Sequence, residues 1–151
     1  MNDRFYRFAH SVEIHTPFVN HYGCGWFDGG CFIFARALQL WLGGRLAIIV
    51  REELLGEQAF DHVVLSLPNP LHLGEALYVD ADGVTTGAAL VKSWRTRERL
   101  PTAVLEDPAD RIRFVSPLRR ESWSAWLAAQ FEANFGKPHW SELAGLLGRM
   151  E

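Results

Sequence analysis

Cysteine is scarce: only Cys24 and Cys31 occur among 151 residues. Two thiols so close in sequence cannot staple a fold, and a reduced pair suits a cytoplasmic setting. Long apolar runs are missing as well. Residues 46–50 form one of the longest, far short of the roughly 20 residues a membrane-spanning helix needs. Behind the amino-terminal charges Asp3, Arg4 and Arg7 lies no apolar segment of the kind a secretory leader carries. A cytoplasmic protein without a membrane partner is expected, with signal-less export as the other route. A basic excess is absent too: the formal charge is −3 and the isoelectric point about 6.1, so no nucleic-acid partner is expected. No glycine loop ending in Lys-Ser or Lys-Thr occurs, and Gly-x-Ser-x-Gly is not found, which sets aside P-loop and serine-hydrolase chemistry. Repeats, low-complexity stretches and linkers are lacking. One domain over 1–151 is the reading, large enough to bury roughly two-thirds of its unfolded surface without metal or disulfide.

What is present is a chain 48% hydrophobic and 13% aromatic with one conspicuous run. Asp28-Gly29-Gly30-Cys31 leads into Phe32-Ile33-Phe34-Ala35-Arg36-Ala37-Leu38-Gln39-Leu40-Trp41-Leu42 and stops at Gly43-Gly44. This predicts a glycine turn, a helix over 31–42 that is apolar almost all round and therefore central, and a glycine stop. Cys31 at the helix start feels the positive end of the macrodipole, and the glycines leave backbone N–H groups open to a ligand. Further on, His62 begins an apolar run read as a strand over 62–67. Asp80 ends a second strand over 76–80, just before Asp82-Gly83. Adjacent antiparallel strands bring His62 beside Asp80, with the Cys31 helix across them. A thiol, an imidazole base and an orienting carboxylate are the parts of an activated nucleophile.

Over about residues 20–85 this pattern resembles the papain-like fold, in its transglutaminase-like and cell-wall-endopeptidase branches. The resemblance implies an α+β domain in which a central N-terminal helix packs on an antiparallel sheet, with C-terminal helices outside. It implies Cys31 as nucleophile, His62 as general base and Asp80 as the residue that orients His62. Such a site works on amide or related acyl groups of a protein or peptide substrate and calls for no cofactor. The Cys31 backbone N–H and the Asn20 side chain are the candidates for binding the oxyanion, with Gly30, Tyr22 and Trp26 lining the site. The alternative is a catalytically inactive papain-like domain that binds a protein partner through its aromatic C-terminal helices. No Gln precedes Cys31, which is the feature that keeps it open.

The remaining pattern predicts a first helix capped by Asp3, with Phe5, Phe8, Ala9 and Val12 on one face and Pro17 as its stop. Residues 16–30 read as loop. A buried strand is expected over 46–51. A helix capped by Thr85 or Thr86 should run to about 97, with Leu90, Val91 and Trp94 inward, followed by a strand over 111–116. Ser116-Pro117 should open a helix with Trp123, Trp126, Leu127, Phe131 and Phe135 on its buried face, and Trp140, Leu143, Leu146 and Leu147 a last one. A zinc site from His15, His21, Cys24 and Cys31 is a weaker rival, because the spacing has no paired ligand unit. His72 is a rival base, in a stretch read as loop.

Overall fold

The computed structural model describes residues 3–51, 61–69, 72, 74–107, 117–138 and 142. Its described elements are α1 (Arg4–Ala9), α2 (His15–Tyr22), α3 (Cys31–Leu42), β1 (Arg45–Val50), β2 (His62–Pro68), β3 (Ala76–Asp80), β4 (Gly83–Thr86), α4 (Gly87–Glu98), β5 (Val104–Glu106) and α5 (Pro117–Phe135). The strands form one antiparallel sheet in the order β4-β3-β2-β1-β5. This is the α+β architecture expected, with five strands in the sheet.

Alternation along the strands assigns the two sheet faces. Leu65, Leu67, Leu77 and Val79 share a core with Ile33, Phe34, Leu38 and Trp41 of α3. Ala47, Ile49 and Val64 point the other way, onto Leu90 and Trp94 of α4. The layers therefore run α5, α3, sheet, α4, and a helix covered on both sides must be apolar nearly all round, as α3 is. Its polar exceptions are used: Arg36 bonds Glu121 of α5 at 2.9 Å and Gln39 at 2.7 Å. Ser124 of α5 donates to the Ile33 carbonyl at 3.0 Å in the interior.

Several sequence expectations change. The stretch 16–30 is not all loop, because α2 occupies its first half. Pro17 does not end a helix; it sits in the first turn of α2, where the backbone N–H it lacks has no intrahelical acceptor anyway. The first helix ends at Ala9, and Val12 is 72% exposed; Ser11 turns back to the Phe8 carbonyl at 2.7 Å. Asp3 makes no side-chain cap and pairs with Arg7 instead, at 2.6 Å. Thr86 is the cap of α4, accepting from Ala89 N–H at 3.3 Å, and Leu90 and Trp94 are buried on it while Val91 is only half-buried. The short strands β4 and β5 were not anticipated. The expected strand over 111–116, the Ser116 cap and the last helix with Trp140, Leu143, Leu146 and Leu147 lie outside the described residues.

Candidate functional site

Two glycines deliver Cys31 to the start of α3. Gly29 has φ +143, and a Cβ there would stand 2.9 Å from Cys24 Sγ. Gly30, the residue before α3, donates to the Gly25 carbonyl at 2.9 Å. A Cβ on Gly30 would lie 2.6 Å from the Phe18 ring and 2.7 Å from the Gly25 carbonyl oxygen. Since the ring and the backbone cannot both retreat, Gly30→Ala is expected to cost about 1–3 kcal/mol, the range for overpacking, read as a lower urea midpoint at unchanged m-value. Gly30 is thus a close-packing residue that sets where Cys31 begins.

His62 shares its strand face with Val64, the face that looks toward α4. Its ring lies parallel to the Trp94 indole, with centroids 4.3 Å apart and planes 7° apart, and Phe27 packs on it at 5.4 Å. The imidazole is 1% exposed. Nε2 meets Asp80 Oδ2 at 3.0 Å. Asp80 is nearly as buried, and its Oδ1 accepts from the Asp82 backbone N–H at 2.9 Å. That bond within the β3–β4 turn fixes which carboxylate oxygen faces the ring. Nδ1 is buried without a hydrogen-bond partner among the described residues. Cys31 stands near enough to act on the ring.

Burial opposes charge on His62. The Asp80 hydrogen bond, the nearby Cys31 side chain and the negative charge of both outweigh it and raise the imidazole from 6.5 to about 9. A raised pKa in the folded state means that protonation favours folding. The stabilisation is complete below 6.5 and is lost as pH rises through about 9. Denaturant unfolding from pH 6 to about pH 10 should therefore show stability falling across that window, and Asp80→Asn should flatten the fall.

A second polar cluster adjoins the first. Asp82 bonds Arg97 at 2.7 Å and faces His10 Nε2 at 3.5 Å. Burial pushes its carboxyl up, but His10 and Arg97 prevail and hold it below the ordinary range. The Arg97 guanidinium lies 4.0 Å over the Phe27 ring. Phe27 is thus held between an ion pair and the imidazole. Beside His62, Asp61 is engaged by Arg51: the backbone N–H donates to Oδ2 and Nε to Oδ1, each at 2.8 Å.

Cys31 opens onto a cavity of about 360 Å³ walled by Phe27, Asp28, Gly29, Phe32, Asp61, Trp94 and Glu98. Three of the anticipated lining residues lie elsewhere. Asn20 is exposed on α2. Tyr22 packs against Phe18 and Trp123, at 4.9 and 5.9 Å. Trp26 is 2% exposed and donates its indole N–H to the Ala9 carbonyl at 2.7 Å. For Asn20 and Tyr22 the reason is α2, which turns their segment into a packed helix; Trp26, in the turn after it, packs on Phe18 and Phe34. The walls that sequence reasoning missed come from two places. Phe27, Asp28 and Phe32 flank the glycines. Trp94 and Glu98 lie one turn apart on α4, and only α4's docking on the far face of the sheet brings them here.

The zinc rival finds no support in these positions. Among the described residues no group of three or more His, Cys, Asp or Glu side chains is arranged to hold a metal ion. His15 stacks on Trp26 at 5.2 Å and His21 packs on Trp123 at 5.4 Å. His72 is exposed. No family model matches the chain, and no curated protein or solved structure matches it significantly.

Proposed function

We propose that the chain is a thiol enzyme of papain-like architecture that acts on acyl groups through Cys31, His62 and Asp80. The observation that supports it most is the orientation of His62: one ring nitrogen is bound to a buried carboxylate, and the other is unpartnered beside a thiol at a helix start. In this reading the proton rests on His62 near neutral pH, as its raised pKa favours, and the Cys31 sulfur attacks the carbonyl carbon as thiolate. The C–S bond forms, the C–N bond breaks, and the imidazolium returns its proton to the departing amine. Asp80 holds the tautomer and stabilises the charged ring. The Cys31 backbone N–H, at the first position of α3 and without an intrahelical acceptor, is the candidate donor to the oxyanion. Water as second nucleophile gives amide hydrolysis or side-chain deamidation, and an amine gives transamidation.

Brief treatment with iodoacetamide at about pH 6.5, near the ordinary imidazole pKa, followed by peptide mapping, tests the activated thiol. Cys31 should be labelled well ahead of Cys24, which lies half-buried before Gly25. Equal labelling, or faster labelling of Cys24, overturns the proposal. A second reading, an inactive domain that binds a protein, draws on a different observation. Pro17, Ser122, Trp123 and Trp126 line an open apolar groove of about 390 Å³ on the α5 side. If Cys31 proves inert, that groove becomes the leading candidate for function.

A further inference from the structure

We infer that the Cys31 cavity is built for acyl groups flanked by a cationic side chain, a lysine or arginine of a peptide substrate; this rests on the thiol chemistry proposed above. Among the described residues the walls hold three aromatic side chains, Phe27, Phe32 and Trp94, three carboxylates, Asp28, Asp61 and Glu98, and no lysine or arginine. The carboxylates differ in how they are balanced. Asp61 is neutralised by Arg51. Asp28 accepts from the Gly25 backbone N–H, which leaves its charge in place. Its titratable neighbour His15 is held below its ordinary pKa, by burial first and then by His10, and so offers no cation near neutral pH. Glu98 has no ion pair among the described residues. Arg97, the nearby cation over Phe27, is committed to Asp82.

Two unbalanced carboxylates in an otherwise aromatic wall are surroundings that attract an ammonium or guanidinium group by charge. A second observation is independent of charge. Trp94, a wall residue, is 4% exposed, and its Nε1–H is buried without an acceptor among the described residues. A small shift of the indole on binding would let that donor meet a ligand carbonyl, and a peptide supplies one beside each side chain. The volume of about 360 Å³ is at the small end for ligand sites and suits one long side chain with its adjoining carbonyl.

Charged thiol reagents read this field without knowledge of the substrate. In a Cys24→Ser protein, the rates of Cys31 modification by 2-(trimethylammonio)ethyl, methyl and 2-sulfonatoethyl methanethiosulfonate would be followed by intact mass. Each would be normalised to N-acetylcysteine. The cation-over-anion ratio should exceed that of the free thiol about tenfold. It should fall several-fold in Glu98→Gln and on raising salt to about 1 M, where the screening length drops to about 3 Å. A second arm compares peptidyl aminocoumarins carrying Arg, Leu or Glu beside the scissile bond, with release fastest for Arg. A normalised ratio near one, or one unmoved by Glu98→Gln, overturns the inference while leaving the thiol chemistry standing. A Cys31 inert even to the methyl reagent overturns both. Preference for free amines as acyl acceptors, with no preference among the coumarins, also overturns it and moves the cation to the second nucleophile.

Discussion

His62→Ala is expected to slow acylation of Cys31 by an activated ester such as p-nitrophenyl acetate by about 10²–10⁴-fold, the usual worth of a positioned general base. The expectation follows from geometry. His62 has one face against Trp94, a carboxylate on Nε2 and Cys31 near its ring, so its removal takes away the proton carrier of the proposed site. Asp80→Asn should give a smaller loss and shift the pH profile, because the amide no longer holds the imidazolium. His62→Ala also strands Asp80, a buried carboxylate, without its partner, which destabilises the fold. Rates must therefore be taken per folded molecule, with circular dichroism alongside. Acylation at the wild-type rate in folded His62→Ala would remove His62 from the chemistry.

The largest stability effect should come from Phe131→Ala, about 3–5 kcal/mol as for other large aromatic truncations. Phe131 is wholly buried and meets Phe5, Phe8, Phe34 and Trp41 at 5.6, 5.8, 5.5 and 5.2 Å. It joins α1, α3 and α5, and no neighbour is free to fill the space it leaves. Trp126, on the same helical stripe, is only half-buried and borders the open groove. Its truncation should cost about 1 kcal/mol, within the common range for single substitutions. Periodicity alone places both residues inward and assigns Trp126 the large loss. Urea unfolding of the two variants decides the order, and a Trp126→Ala loss equal to that of Phe131→Ala would mean that the groove is closed in solution.

The parts of the fold that sequence made legible are those whose cause is local. The helix from Cys31 to Leu42 is bounded by glycines and apolar almost all round, and His62 and Asp80 stand at the ends of short apolar runs, so periodicity and turn residues suffice. What was not legible depends on distant partners. Strands β4 and β5 are too short to carry an alternation of their own, and they exist because β3 and β1 offer edges to pair with. The reading of 16–30 failed because Pro17 was taken as a stop, when a proline three residues into a helix is as acceptable as one before it. The walls of the Cys31 cavity were out of reach for a further reason: Trp94 and Glu98 are ordinary positions on an amphipathic helix until that helix is seated. Asn20 and Tyr22 are carried away from Cys31 by α2, and Trp26 is turned into the core against Phe18 and the Ala9 carbonyl.

The sheet separates the thiol from its base. Cys31 belongs to the layer of α3, packed with Ile48, Val50 and Val63, whereas His62 and Trp94 belong to the layer on the opposite face. The two can approach only around the end of the sheet, and only when both helical layers are docked. Under the proposed chemistry, reactivity in such an arrangement would report that assembly is complete. A nascent or damaged chain with either layer undocked would carry an unassisted cysteine.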